Sequence, residues 1–310
     1  MQQIINNITN SSDTKTAKII ALLELGLTRK QIADLQLLGK YGAIQNVFAK
    51  WQAARLSQPS RLLFSPTAFD RKFGIEIEAY GVEKRRVIRA INEAGIECHD
   101  ESYNHDTRRH WKIVSDASLT GQYAFEIVSP ILEGENGLEQ LRKVSEVLVR
   151  LEVKINRTCG LHVHFDAAQM NVATWKNLLF NYAGLEDIID TMMPQSRRGN
   201  TNQYCKSLNI TNLKSKLDAA TTIQQVANIF PNRYQKVNTQ AYNRHKTVEF
   251  RQHSGTIEAE KMVNWILFLH NLVSFSAQNR VENATFETFK KFNNSEVVNF
   301  YHQRIQDLAA

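Results

Sequence analysis

The stretch Thr158-Cys159-Gly160-Leu161-His162-Val163-His164-Phe165-Asp166 decides how the rest of the chain is interpreted. Side chains of a β-strand alternate between its two faces, so this run as a strand places His162, His164 and Asp166 together, opposite three apolar side chains. The pattern predicts a central strand whose apolar face packs on a core and whose polar face can hold a cation.

Three further stretches divide their side chains in the same way. Glu76 and Glu78 share one face of residues 73–79, and Glu126 stands among apolar neighbours in residues 123–130. In residues 247–253 the polar face consists of Glu249, Arg251 and His253, opposite Val248, Phe250 and Gln252. Together the four stretches predict a single antiparallel sheet with one acid-and-histidine face that forms a site.

Bulk properties are those of an ordinary globular protein. No apolar run approaches the roughly 20 residues needed to span a bilayer, and the N-terminus lacks the basic-then-apolar pattern of a signal peptide. We therefore expect a cytoplasmic protein with no membrane partner. Three scattered cysteines predict reduced thiols rather than a disulfide framework.

The net charge of +7 is concentrated near the N-terminus. Residues 1–66 carry eight Lys and Arg against three Asp and Glu, which gives +5, and the remainder carries +2. We predict a small all-α domain over residues 1–66 and a catalytic domain over residues 67–310. Ser57-Gln58-Pro59-Ser60 and Ser65-Pro66 indicate a linker between them.

The N-terminal domain resembles a helix-turn-helix. After a polar tail that ends near Asp13, apolar spacing predicts helices over residues 17–25, 28–35 and 41–55, the first stopped by Gly26 and the second opened by a capping box at Thr28. The third helix would present to DNA a set of polar side chains: Lys40, Tyr41, Gln45 and Lys50. A helical bundle that binds a protein partner through residues 14–55 fits the same pattern.

The second domain alternates strands and helices. Besides the four stretches above, a strand is predicted at residues 111–115, and helices at about 83–94, 137–151, 172–193 and 258–277, with a terminal helix ending at residue 308. A long loop over residues 194–209 contains Arg197, Arg198 and Tyr204. Loops of this length in compact domains are usually functional or disordered.

The polar face has the composition of a site for divalent cations and phosphate. Two carboxylates two residues apart on a strand lie about 6–7 Å from each other, and their like charges are costly in a cleft unless a cation neutralises them. Four carboxylates and His162 form a donor set suited to Mg²⁺ or Mn²⁺. The guanidinium groups of Arg251 and Arg244 can bind phosphoryl oxygens in pairs. This combination favours phosphoryl transfer from a nucleotide.

Five motifs occur in the order found in a known family: FGIEIE (73–78), FEIVSP (125–130), CGLHVHFD (159–166), RRGNTNQYC (197–205) and YNRHKTVEFRQHSGT (242–256). Over about residues 70–280 the chain resembles the amidoligase family, a branch of the carboxylate-amine ligases that includes glutamine synthetase and glutamate-cysteine ligase. The resemblance implies an α+β fold, with a glutamine-synthetase-like antiparallel sheet flanked by helices and a concave face for metal and ATP. It also implies an ATP- and Mg²⁺-dependent ligase that joins a carboxylate to an amine through an acyl phosphate, on an amino acid, peptide or protein.

The resemblance also implies roles for individual residues. Five side chains match the family's metal ligands: Glu76, Glu78, Glu126, His162 and Glu249. His164, Arg244 and Arg251 match positions that contact phosphates or substrate and contribute to ATP binding and catalysis. Asp116 would orient or deprotonate the amine, although Ala117 replaces the glycine that often follows it in relatives.

Other functions stay open from the sequence. The segment His162-x-His164-x-Asp166 also resembles metal-dependent hydrolases, which hold a zinc pair with HxHxD or HxH. Guanidino kinases share the superfamily's sheet and transfer phosphate to nitrogen. A DNA-binding regulator with a ligase-like sensor domain is a third candidate, and the oligomeric state stays open.

Overall fold

The structure, a computed structural model, describes residues 2–25, 27, 29–57 and 68–309. The chain divides into two compact units. One consists of Met1–Arg61 with Val298–Ala310, and the other is Leu62–Val297. The predicted linker lies almost entirely outside the described residues, and the predicted domain boundary at residue 66 stays a prediction.

The first unit is helical. Its N-terminal part contains α1 (Gln2–Asn10), α2 (Lys15–Glu24), α3 (Arg29–Asp34) and α4 (Tyr41–Ser57). The three predicted helices are present because their apolar residues meet in one core: Ile19, Leu22, Ile32, Ile44 and Phe48 are all buried. The ring of His302 stacks on Phe48 at 6.2 Å between centroids. The predicted cap at Thr28 and the stop at Gly26 lie outside the described residues.

The expected polar tail is instead a helix. Residues Gln2–Asn10 form α1, in which Ile5 is buried and Ile8 packs on the same core. Their spacing of three residues places both on one side of the helix, and this outweighs the polar composition. The polar tail was therefore a wrong prediction.

The helix-turn-helix interpretation stays a prediction. Lys40, Tyr41 and Lys50 are exposed, as that interpretation requires. The side chain of Gln45, however, accepts a hydrogen bond from Arg29 Nη1 at 2.6 Å. It is thus engaged within the unit.

The second unit contains the sheet and most of the helices. Its first half comprises β1 (Lys72–Ala79), α5 (Lys84–Glu93), β2 (Cys98–Asp100), β3 (Trp111–Val114), β4 (Phe125–Val128), β5 (Leu132–Glu133), α6 (Gly134–Arg150), β6 (Gly160–Asp166) and α7 (Val172–Thr191). The second half comprises a 3₁₀ turn (Gln195–Arg197), α8 (Leu213–Ala219), α9 (Ile223–Asn228), β7 (Val237–Asn238), α10 (Ala241–His245), β8 (Thr247–Ser254), α11 (Ala259–Ser276) and α12 (Phe286–Phe292). The final helix α13 (Ser295–Ala309) runs from the end of this unit into the first.

The fold is α+β, with one eight-stranded, mostly antiparallel sheet. The strand order is β2-β3-β4-β1-β6-β8-β7, and β5 pairs with the start of β1. The four strands predicted from polar and apolar alternation are therefore neighbours in the middle of the sheet. One pair departs from the predicted antiparallel arrangement, because β2 and β3 are parallel.

Helices cover one face of the sheet. The alternate apolar residues of β1, β6 and β8 all lie on that face and are buried: Ile75, Ile77, Leu161, Val163, Phe165, Val248 and Phe250. Tyr182 of α7 packs on Phe250, and Gly137 of α6 lies so close to Phe73 that an added Cβ would sit 2.8 Å from its ring. The opposite face is left for polar side chains.

The connection between β2 and β3 crosses the polar face. Parallel neighbours require the chain to return from the end of one strand to the start of the next. Residues 101–110 make this return without helix or strand, and Tyr103 and His105 of this loop line the cleft. The buried Lys112 fastens the loop, since its Nζ donates to Asn104 Oδ1 and the Asp106 carbonyl, both at 2.7 Å.

Among the described residues, no helix combines the length and the apolar character required to cross a membrane. All three cysteines are free and buried, in agreement with the expected reduced thiols.

Candidate active site

The sheet register brings the predicted acids and histidines together. Across β1 and β6, Glu76 pairs with His162, and across β1 and β4, Glu78 pairs with Glu126. Across β6 and β8, His164 pairs with Glu249. Directly paired residues point to the same face of a sheet. The three pairs therefore form one continuous polar patch over four strands.

The side chains of this patch are in contact. His162 Nδ1 lies 2.9 Å from Glu76 Oε2 and 3.8 Å from Glu249 Oε1, and its Nε2 lies 3.8 Å from Glu78 Oε1. His164 Nε2 lies 3.4 Å from Glu76 Oε1, while its Nδ1 is 3.0 Å from the Thr247 hydroxyl. The two imidazoles are thus interleaved with the carboxylates.

Three overlapping clusters within the patch have the size of a cation site. One contains Glu78, Asp116 and Glu126. The second contains Glu76, Glu126 and His162, and the third contains Glu76, His164 and Glu249. In each cluster the potential ligand atoms lie within 4.8 Å of one another. Glu76 and Glu126 each belong to two clusters, so neighbouring cations could share them.

A backbone amide and a side-chain amide hold two of the carboxylates in place. The amide of Gly160 donates to Glu78, and Asn238 Nδ2 donates to Glu249 Oε2 at 2.5 Å. A Cβ on Gly160 would lie 3.0 Å from His162 Nε2 and 3.2 Å from the Arg197 guanidinium nitrogens. Glycine at this position therefore lets the imidazole and the guanidinium approach the strand.

The electrostatics of the patch are uneven. Burial opposes the ionisation of Glu76, but hydrogen bonds with His162 and His164 outweigh it and hold its pKa well below the ordinary value. For Glu126, burial and the neighbouring charges of Glu76 and Glu78 act in the same direction and raise its pKa well above the ordinary value. Burial and the nearby carboxylates thus make Glu126 easier to protonate, whereas the two histidines keep Glu76 easier to ionise.

On β8, charge pairing determines the pKa values. Burial disfavours the charged form of Glu249, yet the adjacent Arg251 and His164 lower its pKa. Burial also disfavours the imidazolium form of His164, but Glu249 and Glu76 outweigh this and raise its pKa. Arg251 donates through Nη1 to Glu249 and through Nε to the Tyr204 carbonyl at 3.2 Å. Its guanidinium is therefore held in a fixed orientation.

The patch forms the floor of a cleft with two lobes. One lobe, of about 390 Å³, is lined by four arginines: Arg197, Arg233, Arg244 and Arg251. The other, of about 320 Å³, extends over Gly74, Ser129 and Ile131. Both lobes share Glu76, Glu126 and His164 in their lining. A ligand that occupies both lobes would pass directly over the carboxylates.

The remaining predicted residues take different positions. Asp116 lines the arginine-rich lobe, in a turn where its Oδ1 accepts a hydrogen bond from the Ser118 amide at 2.7 Å. Arg244, at the end of α10, is exposed at the same lobe. Asp166 lines the second lobe, and among the described residues it belongs to none of the clusters of cation-site size.

His253 lies on the face opposite to the predicted one. The register shifts between Leu161 and Val163, which pair with His253 and Phe250 respectively. This bulge in β8 turns His253 toward the helices, where its ring lies 5.3 Å from Trp265. Strict alternation along residues 247–253 was therefore a wrong prediction beyond Arg251.

Several cleft residues had no assigned role in the sequence interpretation. Arg197 is buried, and its Nη2 donates to the Cys159 carbonyl at 2.5 Å. Arg233, Asn238 and Lys112 also line the cleft. The motif RRGNTNQYC singled out the neighbourhood of Arg197, but the segment from residue 231 to 238 has no periodic pattern that would indicate Arg233 or Asn238.

Comparison with known proteins identifies a family for most of the chain. No curated protein matches the sequence. A family model described as "Putative amidoligase enzyme" matches residues 70–273, a range that begins just before β1 and ends within α11. That range contains every residue of the acid-and-histidine patch. Since the match covers well over half of the chain, the protein belongs to the amidoligase family, whose description is that of a ligase that forms amide bonds.

Proposed function

We propose that this protein is an ATP- and Mg²⁺-dependent carboxylate-amine ligase with a glutamine-synthetase-like catalytic domain. One observation carries the proposal: three overlapping carboxylate clusters, two of which include a histidine, lie on the floor of a cleft that is also lined by four arginines. Carboxylates without a cation repel a polyphosphate, whereas arginines attract one. The two sets are compatible in one cleft when divalent cations lie between them.

The donor set fits magnesium or manganese. Each cluster offers carboxylate oxygens, and two of them add a single imidazole. Oxygen-rich donor sets favour these hard cations, whereas no cysteine is present in the patch to favour a softer metal. The ligands would be Glu76, Glu78, Glu126, His162 and Glu249. The other two members of the clusters, Asp116 and His164, would face the amine and the phosphates. A bound cation would offset the repulsion from Glu76 and Glu78 that, together with burial, raises the pKa of Glu126.

Arginines and His164 would bind the phosphates of ATP. Arg251 is already oriented by Glu249 and the Tyr204 carbonyl, so its position is set before a ligand arrives. Arg244 forms no hydrogen bond or ion pair with other described residues and is exposed at the cleft. Preorganised cations next to a developing negative charge lower the barrier to phosphoryl transfer.

The reaction would proceed in two steps. A carboxylate oxygen of the substrate attacks the γ-phosphorus of ATP, and ADP leaves, which gives an acyl phosphate. The amine nitrogen then attacks the acyl carbon, inorganic phosphate leaves, and the nitrogen loses a proton. Asp116 is placed beside Glu78 and Glu126 in the arginine-rich lobe and would accept that proton. Mg²⁺, when bound, would screen the charge of the transferred phosphoryl group.

The substrate carboxylate would bind in the arginine-rich lobe. Arg197 and Arg233 line that lobe in addition to Arg244 and Arg251. Arginine binds carboxylates in bidentate geometry. An amino acid, a peptide and a protein side chain or terminus all present such a group.

An ATP-consumption assay tests the proposal. The protein is incubated with ATP and Mg²⁺ over a panel of carboxylates combined with amines, and ADP is measured. We expect ADP release that requires both a carboxylate and an amine, and its loss in Glu78→Gln. Glu146→Gln, which removes an exposed carboxylate of α6, is the matched control and should behave as the parent. Equal ATP consumption by Glu78→Gln and the parent would show that the ligand assignment is wrong.

A further inference from the structure

A second group of potential metal ligands lies outside the cleft lining. Glu97, His99 and His110 each offer a ligand atom, and these atoms lie within 4.8 Å of one another. His99 Nε2 is 2.9 Å from Glu97 Oε1, and the rings of His99 and His110 are 4.3 Å apart between centroids. In a tetrahedral zinc site with bonds of 2.0–2.1 Å, the ligand atoms are about 3.3 Å apart. Small side-chain rotations would bring the three groups to that spacing.

The strand geometry places all three groups on one face. Glu97 and His99 are two residues apart on the β2 side, and His110 is two residues before Lys112 on the β3 side. His99 and Lys112 are paired in the parallel register, so their side chains share a face. The backbone also holds Glu97 against β3, since the Trp111 amide donates to its carbonyl at 3.0 Å.

The chemistry of the group differs from that of the cleft. It contains two imidazoles and one carboxylate, a set typical of zinc and similar transition metals rather than of magnesium. His110 Nε2 lies 2.9 Å from Glu101 Oε1, and Glu101 is itself fixed by Arg108. A carboxylate on the second ring nitrogen is the usual outer partner of a zinc-binding histidine, because it orients the ring and raises its basicity. With Nε2 bound to Glu101, Nδ1 of His110 is the nitrogen that can bind a metal.

The position of the group gives it a consequence for the cleft. Glu97 immediately precedes β2 and His99 lies within it, whereas His110 is the last residue of the loop that returns to β3. A metal bound by all three would tie the returning end of the loop to the neighbouring strand. The loop contributes Tyr103 and His105 to the cleft lining. Fastening its end would therefore restrict the motion of cleft residues.

We propose that Glu97, His99 and His110 form a transition-metal site, of the zinc class, that fastens the 101–110 loop over the cleft. The site is separate from the magnesium ligands and does not depend on the proposed ligase activity. Glu101 is a positioning residue for the His110 ring. Water would complete the coordination, since the protein supplies three ligands and the group is open to solvent.

Metal counting and hydrogen exchange test the proposal with the full chain. The parent, His99→Gln and His110→Gln are dialysed against Zn²⁺ with Mg²⁺ in excess, and bound zinc is measured by elemental analysis. We expect each variant to bind one Zn²⁺ fewer per chain than the parent. Zinc that enters the cleft contributes equally to all three proteins and cancels in the comparison. Amide exchange in residues 101–110 should slow on zinc addition in the parent and stay unchanged in both variants.

Two further variants sharpen the result. Glu101→Gln should keep the bound zinc but weaken its affinity by about 10-fold, as expected for loss of an outer partner. Glu93→Gln removes an exposed carboxylate at the end of α5 and should match the parent in every measurement. Equal zinc binding by the parent, His99→Gln and His110→Gln would overturn the site. Zinc binding that leaves loop exchange unchanged in the parent would overturn its role as a fastener.

Discussion

Replacing Glu126 by glutamine should stabilise the cation-free protein at neutral pH and abolish most of its stabilisation by Mg²⁺. Glu126 is buried on β4, and burial together with the charges of Glu76 and Glu78 raises its pKa well above the ordinary value of 4.5. Glutamine is neutral at every pH and nearly the same size. Its amide N–H can donate to Glu76, as the O–H of a protonated Glu126 would.

The sign and size of the stability change in Glu126→Gln follow from the shifted pKa of Glu126. A group whose pKa is higher in the folded state favours folding most below its unfolded pKa, and this contribution is lost as pH rises toward the folded pKa. If Glu126 keeps its proton in the folded state up to pH 7, the free energy of unfolding of the parent falls by about 1.36 kcal/mol for each pH unit above 4.5. The upper limit of the gain from Glu126→Gln at pH 7 is therefore about 3 kcal/mol. At pH 4 the gain should be close to zero.

Thermal unfolding with a chelator measures this gain. Three of the four tryptophans, Trp111, Trp175 and Trp265, lie in the second unit (Leu62–Val297), called the sheet unit below. Tryptophan fluorescence therefore reports mainly on the unfolding of this unit. For a domain of this size a change of 1 kcal/mol moves Tm by about 2–4 °C. We expect Glu126→Gln to raise Tm by up to about 10 °C at pH 7 without metal. Mg²⁺ should then raise the Tm of the parent much more than that of the variant.

The matched control is Glu146→Gln, an exposed carboxylate on α6, which should leave Tm unchanged at every pH. A lower Tm of Glu126→Gln than of the parent at pH 7 without metal would refute the electrostatic reasoning. Equal stabilisation of parent and variant by Mg²⁺ would refute the assignment of Glu126 as a ligand.

Two further substitutions test the contacts that support the site from outside the cleft. The Nζ of Lys236 lies 2.8 Å from Glu186 Oε1 and 2.7 Å from Asp190 Oδ1. Lys236→Met removes this buried cation from both carboxylates, and we expect it to lower the free energy of unfolding of the sheet unit by about 3–5 kcal/mol in urea. Gly255→Ala should cost at least about 1–3 kcal/mol in the same measurement, since its Cβ would lie 2.6 Å from the Cys159 Cβ and 3.1 Å from that residue's backbone.

Each of these two has a control of the same chemical type. Lys214→Met breaks an exposed pair with Glu282 and should change stability by less than about 0.5 kcal/mol. Gly42→Ala introduces a Cβ with no atom within 4 Å, in a helix, and should be neutral or stabilising. A cost for Lys236→Met no larger than that for Lys214→Met would contradict the buried network. A neutral Gly255→Ala would contradict the close packing of the residue after β8 against the residue before β6.

The middle of the sheet was predictable because its physics is local. In a strand with one buried face, polar and apolar side chains must alternate. The spacing of two residues between Glu76 and Glu78, or between His162 and His164, therefore indicates that each pair shares a face. The buried neighbours Ile77 and Val163 confirm this for β1 and β6. The convergence of different strands is only a hypothesis from the sequence, since their order in the sheet depends on long-range pairing.

Local alternation fails where pairing with a neighbour overrides it. The bulge that turns His253 to the helix side exists because β8 gains a residue relative to β6 between two fixed pairs. The parallel pairing of β2 with β3 likewise depends on a neighbouring strand rather than on local alternation. Cys98–Asp100 is too short to read as a strand, yet its pairing with β3 sends the 101–110 loop across the cleft.

The segment after α7 shows how a buried charge network can position a functional loop that sequence analysis leaves unplaced. Glu186 and Asp190 are four residues apart on α7, a spacing that normally indicates a solvated helix face. Here both carboxylates bind the buried Lys236, and each also accepts a backbone amide of the 194–209 region, from Leu208 and from Gly199. A salt-bridged pair with further hydrogen bonds is stable in the interior, whereas either carboxylate alone would not be. The position of Arg197 in the cleft therefore depends on charges that lie on the far side of the loop.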